Sequence, residues 1–195
     1  DYLVNKNANT LLMVGTGNLA PHLIKAHCEV RDYSKILIWG RNKEKAEKLA
    51  HSLDIKGKEI SVMDDLKEAL NVADVISCAT LSERPLIMGD WIKSGQHLDL
   101  VGAFTPNMAE VDSQTIAMSK VVVDTYEGAL SESGELITAL KEGHIKKKHI
   151  LSDLRELVLE EKNIRNHLND ITLFKSVGTA LEDLAAAELV IEKNL

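Results

Sequence analysis

An α/β fold built on a doubly wound parallel sheet is predicted for this chain of 195 residues. Short apolar runs alternate with segments of helical periodicity, which is typical of a parallel sheet covered by helices on both faces. The first two runs, residues 11–14 and 35–39, flank a helical segment, and right-handed βαβ crossovers of this kind lead to a doubly wound topology. A glycine-rich turn, Gly15-x-Gly17-x-x-Ala20, joins the first run to that helical segment.

The elements are predicted in chain order from these alternating patterns. Strands are expected at residues 11–14, 35–39, 59–62, 74–79, 97–101, 121–124 and 171–175. Helices are expected at residues 21–28, after residue 41, at 64–70 with an Asp cap, at 113–119 and at 179–193, and residues 126–169 are expected to be mostly helical. The last helix carries small and apolar residues around much of its circumference, so we expect it to be buried between layers or against another subunit.

The glycine-rich turn predicts a dinucleotide site. Gly15 and Gly17 allow the backbone to turn tightly and to approach a pyrophosphate, and the next helix directs its N-terminal amides at that anion. A turn in any α/β protein could share this pattern. Here, however, the strand at 35–39 completes a βαβ unit of about 30 residues, which is the context that the motif requires. Functional residues are then expected at the carboxyl ends of the strands.

The residues after the second strand indicate which dinucleotide is bound. An NAD enzyme usually has Asp or Glu there to hold the ribose hydroxyls, whereas this chain has Arg41. A guanidinium matches a 2′-phosphate, and Lys43 and Lys45 add positive potential. We therefore predict NADPH, with NADH as a weaker ligand. The alternative is that Arg41 belongs to the solvated helix face, where we place Lys48.

Composition excludes several classes of function. The net charge of −7 argues against a nucleic-acid surface, and the basic cluster at 146–148 is interpreted as a solvated loop. The sequence has no metal-ligand spacing and no Gly-x-Ser-x-Gly nucleophile motif, and we expect neither a membrane span nor a signal peptide. Cys28 and Cys78 are expected to be small core residues in a reducing compartment. These observations predict a cytoplasmic protein that binds neither metal, membrane nor nucleic acid.

Several motifs together resemble the ornithine cyclodeaminase/mu-crystallin family. They occupy residues 14–20, 38–42, 80–85, 102–106, 123–128, 172–178 and 180–183. The most specific is Thr-Leu-Phe-Lys-Ser-Val-Gly at 172–178, followed by Ala-Leu-Glu-Asp. Within the family, the Gly-Ala-Phe-Thr-Pro form at 102–106 together with Ile-Trp-Gly-Arg at 38–41 is most similar to the Δ1-pyrroline-2-carboxylate reductase branch. The resemblance implies a Rossmann NAD(P)-binding domain.

The resemblance also implies roles for individual residues. It assigns Thr16, Gly17, Asn18 and Leu19 to the pyrophosphate loop, and Gly40, Arg41, Asn42 and Lys45 to the 2′-phosphate region. It places Thr80 and Leu81 along the nucleotide, and Val101 and Gly102 beside the nicotinamide. Ser176 and Val177 belong to a loop that closes over the nicotinamide. Glu127 corresponds to a polar residue that faces the substrate pocket. A carboxylate favoured by the helix dipole is the alternative interpretation of Glu127.

Phe104 is where this chain departs from the cyclodeaminases and alanine dehydrogenases of the family, which have an acid/base Asp at this position. Ring closure of ornithine with loss of ammonia needs repeated proton transfers, whereas a protonated imine is already electrophilic. We therefore predict NADPH-dependent reduction of Δ1-pyrroline-2-carboxylate or Δ1-piperideine-2-carboxylate to L-proline or L-pipecolate. Ornithine cyclodeaminase or alanine dehydrogenase activity is one alternative, and a non-catalytic NADPH and small-ligand binder like mu-crystallin is the other.

The resemblance further implies a longer protein. Residues 1–9 are expected to be the remnant of an interdomain connection, 10–176 the dinucleotide-binding domain, and 177–195 a helix that returns to an N-terminal substrate and dimer domain. That domain would supply the Arg and Lys that hold the substrate carboxylate. The full-length protein is thus expected to be a homodimer of proline metabolism that binds a cyclic imino acid, with Phe104, Glu127 and Ser176 as pocket candidates.

Overall fold

The structure, a computed structural model, describes residues 2–194; the predictions for Asp1 and Leu195 lie outside the described residues. The strands are β1 (Thr10–Val14), β2 (Lys35–Trp39), β3 (Glu59–Val62), β4 (Val75–Cys78), β5 (His97–Leu100), β6 (Lys120–Val123), β7 (Ile150–Asp153) and β8 (Thr172–Lys175). The α-helices are α1 (Ala20–Val30), α2 (Lys43–Ser52), α3 (Leu66–Val72), α4 (Ser113–Met118), α5 (Tyr126–Glu132), α6 (Gly134–Lys141), α7 (Leu154–Leu159) and α8 (Ala180–Asn194). Short 3₁₀ turns lie at Gly89–Trp91 and Lys147–His149.

The strands form one parallel sheet in the order β3-β2-β1-β4-β5-β8-β6-β7. The chain builds outward from β1 to β3, then crosses to β4 on the other side of β1, so the order reverses between β1 and β4. In sheets of this type ligands bind at the carboxyl ends of the strands beside such a switch point. The predicted α/β fold with a doubly wound parallel sheet is confirmed.

Alternation along β1 shows why both faces of the sheet are covered. Leu12 and Val14 pack into one core cluster, whereas Leu11 and Met13 pack into the cluster on the opposite face. Parallel strands that are buried on both faces have continuous apolar runs of this kind. Side-chain caps then set the start of several helices: Asp65, for example, accepts a hydrogen bond from the Glu68 N–H. The cap of α3 is therefore Asp65, one residue later than predicted.

Strand β7 corrects the prediction that residues 126–169 are mostly helical. Its four residues, Ile150–Asp153, pair with β6 at the edge of the sheet, where the register shifts between Val121 and Val122. Ile150 and Leu154 also have the spacing of one helical face, so the apolar pattern alone does not separate the strand from the helix that follows it. The Asp153 cap of α7 is the local signal that a new helix begins there.

Helix α8 differs from the prediction that it is buried between layers. Its apolar side chains are exposed in this chain; Leu181, for example, has a relative exposure of 72% and Ile191 of 60%. Burial against another domain or subunit stays a prediction. Despite this apolar surface, no helix within residues 2–194 combines the length and hydropathy needed to cross a membrane.

His97 at the start of β5 makes stability depend on pH. The His97 side chain is buried, and its Nδ1 lies 2.9 Å from Thr172 Oγ1. The Thr172 hydroxyl donates its own proton to the Leu3 carbonyl at 2.8 Å. The Thr172 oxygen therefore accepts the hydrogen bond from His97, whose Nδ1 carries the proton. Burial lowers the pKa of His97 to about 3. Below about pH 6.5, where an unfolded His binds a proton, the folded state does not bind it, and the free energy of unfolding falls as pH falls.

We expect this loss to reach about 1.4 kcal/mol per pH unit between the unfolded pKa and about pH 3. Urea unfolding at pH 7, 6 and 5 of the wild type and of His97→Asn would measure it, because the variant lacks this contribution. His144→Gln, which removes an exposed imidazole, is the control. If the free energy of unfolding depended on pH equally in the wild type and in His97→Asn, the role given to His97 would be contradicted.

Candidate cofactor-binding site

Loops that follow six of the eight strands meet at one edge of the sheet. They follow β1, β2, β4, β5, β6 and β8, and they contain all of the residues predicted to contact a cofactor except Lys45, which lies in the first turn of α2. Parallel pairing brings these carboxyl ends together although they are far apart in sequence. The edge beside the β1/β4 switch point is therefore the candidate site.

The turn after β1 has the backbone that its glycines predict. Gly15 has φ of 116°, and a Cβ there would lie 2.5 Å from the Ala79 carbonyl oxygen. Gly17 is different, because a Cβ built on it has no protein atom within 4 Å. Helix α1 begins directly afterwards without a side-chain cap, and its Ala20 and His22 N–H groups donate to the carbonyls of Gly17 and Leu19. The open space above Gly17, beside the N-terminus of α1, fits an anion such as a pyrophosphate.

The loop after β2 packs against this turn. A Cβ on Gly40 would lie 2.7 Å from Thr16 Cγ2, so the two loops are in close contact. Asn42 caps α2 by accepting a hydrogen bond from the Lys45 N–H at 3.0 Å, which gives it a structural role at the predicted 2′-phosphate region. Arg41 is exposed and makes no ion pair or side-chain hydrogen bond within the described part of the chain.

Two clefts flank these loops. Arg41 lines the first, of about 390 Å³, together with residues 81–86 after β4. Lys45 and Lys48 line the second, of about 530 Å³, together with the turn at residues 16–18. Lys48 is exposed on α2, as predicted for the solvated helix face, and it also borders this cleft. Lys43 adds less positive potential than expected, because its Nζ lies 2.7 Å from Asp64 Oδ1.

Buried Glu110 joins the loops that follow β4 and β5. Its Oε1 accepts hydrogen bonds from the Thr80 N–H at 2.7 Å and the Thr80 hydroxyl at 3.0 Å. Its Oε2 accepts from the Gly102 N–H at 2.8 Å and the Ala103 N–H at 3.3 Å. Gly102 itself tolerates no side chain, since a Cβ there would lie 2.1 Å from the Thr80 carbonyl oxygen. The loop predicted to line the nucleotide and the loop predicted to lie beside the nicotinamide are thus one connected unit.

Asp124 anchors the loop after β8 in a similar way. Its Oδ2 accepts hydrogen bonds from the Ser176 hydroxyl at 3.1 Å, the Val177 N–H at 2.7 Å and the Gly178 N–H at 2.9 Å. Its Oδ1 accepts from the Thr125 N–H at 2.6 Å. The Ser176 hydroxyl, a predicted pocket group, is therefore engaged in holding its own loop.

A buried ionic group lies below these loops. Lys175 Nζ is 3.1 Å from Glu135 Oε1 and 4.0 Å from Glu110 Oε2, and all three side chains are inaccessible to solvent. Burial raises the pKa of Glu135, although the Lys175 ammonium opposes this shift. Burial and the neighbouring Glu110 carboxylate raise the pKa of the Cys78 thiol, so this cysteine is held protonated. Cys78 is a core residue of β4, as predicted, and Cys28 is half-buried on α1.

The remaining predicted pocket residues lie at the same edge. Phe104 follows β5 and has a relative exposure of 44%, so an apolar ring faces solvent there. Glu127 is exposed in the first turn of α5, which is compatible with either of its two interpretations. Among the described residues no group of three His, Cys, Asp or Glu could hold a metal ion.

Sequence analysis missed Glu110, Asp124, Glu135 and Lys175. Each is a charged residue beside apolar neighbours: Glu110 stands between Ala109 and Val111, and Lys175 ends an apolar strand. Such a residue is almost never fully buried unless it is paired, so its place in an apolar run was an available signal. Their partners are distant in sequence, however, and only the fold identifies them.

The parallel doubly wound sheet and the glycine turn at its switch point define a Rossmann-type dinucleotide-binding domain. The family can then be named, because the profile of the ornithine cyclodeaminase/mu-crystallin family matches residues 1–195. The chain belongs to this family, and the predicted membership is confirmed.

Three relatives describe the similarity. Protein SAR DEFICIENT 4 of Arabidopsis thaliana is 42% identical over 99% of the chain and 61% of its own length. A Δ1-pyrroline-2-carboxylate reductase of Colwellia psychrerythraea is 38% identical over 98% of the chain and 61% of its own length. The solved Δ1-pyrroline-2-carboxylate reductase of Thermococcus litoralis, in complex with NADH and L-proline, is 39% identical with a TM-score of 0.95 over 98% of this chain and 60% of that one. The chain therefore spans about 60% of the length of these relatives.

Proposed function

We propose that this chain is the cofactor-binding part of an NAD(P)H-dependent enzyme that reduces a cyclic imine amino acid, Δ1-pyrroline-2-carboxylate or its six-membered piperideine homologue. The observation that carries the proposal is the combination of Phe104 at the family's acid/base position with 38% and 39% identity to two Δ1-pyrroline-2-carboxylate reductases. The products are L-proline and L-pipecolate, and the L-proline in the Thermococcus litoralis complex supports the first.

A division of the chain is part of this proposal. Residues 10–176 form the dinucleotide-binding domain, 1–9 connect it to an N-terminal substrate and dimer domain, and 177–195 return to that domain. The greater length of the relatives and the exposed apolar side chains of α8 support the division. In the full-length protein, which we propose is a cytoplasmic homodimer of proline metabolism, the absent domain holds the substrate carboxylate.

A nicotinamide dinucleotide fits the residues at the sheet edge. Gly17 leaves open space at the N-terminus of α1, and the NADH of the solved relative supports a cofactor of this class. Preference for NADPH is the finer proposal, supported by Arg41, which is exposed, has no side-chain partner in the described structure, and follows the second strand where a carboxylate would favour NADH.

The chemistry divides between cofactor and protein. Reduced nicotinamide supplies a hydride to the C=N carbon, and with one proton the imine becomes a secondary amine. The residues of this chain position the reactants. Glu110 and Asp124 hold the loops at residues 80–81, 101–103 and 176–178, and Phe104 provides an apolar wall that excludes water from the flat ring. No proton transfer is required of Phe104.

Steady-state kinetics of the full-length protein would test the proposal. We expect NADPH oxidation with pyrroline-2-carboxylate and no formation of proline and ammonia from ornithine. Phe104→Leu should lower the reductase rate modestly, because it retains an apolar wall. Phe104→Asp should not raise that rate, since a carboxylate adds a desolvation cost beside the pocket and repels the carboxylate of the substrate.

Each other outcome supports a different function. Efficient wild-type conversion of ornithine would establish a cyclodeaminase and overturn the role given to Phe104, and pyruvate-dependent oxidation of NADH with ammonia would establish an alanine dehydrogenase. Tight NADPH binding without turnover of any of these substrates would favour a non-catalytic binder.

A further inference from the structure

We propose that Glu110 is a positioning residue that sets the nicotinamide half of the site by holding the loops after β4 and β5 in one arrangement. The inference rests on the proposed nicotinamide cofactor. It concerns a residue whose side chain is fully buried and therefore does not contact the ligand.

The hydrogen bonds of Glu110 are divided between the two loops. One oxygen accepts two bonds from Thr80, and the other accepts from Gly102 and Ala103. An ionised carboxylate accepts at both oxygens, and bonds to a charged acceptor are stronger than neutral ones. A single side chain thus fixes the separation of two loops that come from neighbouring strands.

Glu110 is itself held rigidly. Its carbonyl oxygen accepts hydrogen bonds from the Leu86 N–H at 2.9 Å and the Ile87 N–H at 3.0 Å, which tie the backbone of Glu110 to the segment after β4. Lys175 Nζ, also buried, lies 4.0 Å from Oε2. These contacts hold the Glu110 carboxylate in place between the two loops.

The position of these loops makes the effect selective. The pyrophosphate turn at residues 15–19 and the loop at 40–42 donate no hydrogen bond to the Glu110 carboxylate, whereas the loops at Thr80 and Gly102 donate all four that it accepts. Disturbing Glu110 should then displace the loops at Thr80 and Gly102 and leave the pyrophosphate turn and the loop at 40–42 in place.

The Glu110→Gln variant tests this inference. The substitution replaces one carboxylate oxygen by an NH₂ group, which cannot accept hydrogen bonds from the N–H groups of the loop that it faces. In the full-length protein we expect NADPH affinity to fall about tenfold or more and kcat to fall roughly tenfold to a hundredfold. ADP and adenosine 2′,5′-bisphosphate lack the nicotinamide. The affinity of the variant for these two ligands should stay within about twofold of the wild-type affinity, a much smaller change than the one expected for NADPH.

Glu132→Gln is the matched control, since it makes the same chemical change at an exposed position on α5, and we expect no such change in affinity or kcat. If Glu110→Gln does not fold, Thr80→Val gives the answer. It removes the hydroxyl bond to Glu110 and keeps the three backbone N–H bonds, so it should weaken NADPH selectively by a smaller factor. Unchanged NADPH affinity, or equal weakening of NADPH and the two adenosine ligands, would overturn the inference. Failure of wild type to reduce the imine would refute the proposed function and leave this binding comparison intact.

Discussion

Gly17→Val is expected to abolish dinucleotide binding while the protein remains folded. A Cβ at Gly17 would have no protein atom within 4 Å. The chain by itself therefore places no steric limit on this position. The limit comes from the ligand: the backbone of the turn must approach the pyrophosphate closely, and two valine methyl groups would occupy that space. Fluorescence titration with NADPH and thermal unfolding would be measured together.

Gly15→Ala provides the contrast within the same turn. Gly15 has φ of 116° and its Cβ would lie 2.5 Å from the Ala79 carbonyl oxygen, so this substitution should reduce the free energy of unfolding. Holding a residue other than glycine in such a conformation costs about 1–3 kcal/mol before the clash is added. NADPH affinity retained by Gly17→Val would show that the turn has only a structural role.

Arg41→Ala is expected to weaken NADPH by about a hundredfold, corresponding to the loss of about 2 to 3 kcal/mol of a charge-assisted contact with the 2′-phosphate. NADH affinity should change little. Arg41 makes no ion pair within residues 2–194, so its removal breaks no described ion pair of the fold. Calorimetric or fluorescence titration with both cofactors gives the ratio of the two Kd values.

Arg155→Ala is the matched control, since it makes the same change in net charge at an exposed position on α7. It should leave both affinities unchanged, which separates a local contact from a long-range effect of charge. Equal weakening of NADPH and NADH by Arg41→Ala would refute the assignment of the 2′-phosphate site. A preference of the wild type for NADH would refute it as well.

The local pattern of apolar and polar residues was sufficient to predict most of the strands. β1, β2, β3, β4, β5, β6 and β8 were predicted within one or two residues, because each is a short apolar run bounded by polar or turn residues. β7 was missed for the same kind of reason. Its few residues fit helical as well as strand spacing, and an edge position with a shifted register leaves little signal in the sequence.

Burial was harder to predict than secondary structure. The pattern of α8 correctly indicated a long helix, but in this chain its apolar side chains are exposed. Lys48, by contrast, is exposed on α2, as its helical periodicity predicts. Periodicity describes which face of a helix a residue occupies, whereas burial depends on what the rest of the molecule places against that face.

The sequence by itself determined the doubly wound sheet, the glycine turn at its first strand, Arg41 after its second and Phe104 after its fifth, because these depend on residues that are neighbours along the chain. Only the tertiary structure decided which carboxylates hold the site. Glu110 lies 30 residues from Thr80, and Asp124 lies 52 residues from Ser176. The physical reason is that parallel pairing brings the carboxyl ends of distant strands together, so that a buried charge finds its donors across the sheet rather than along the chain.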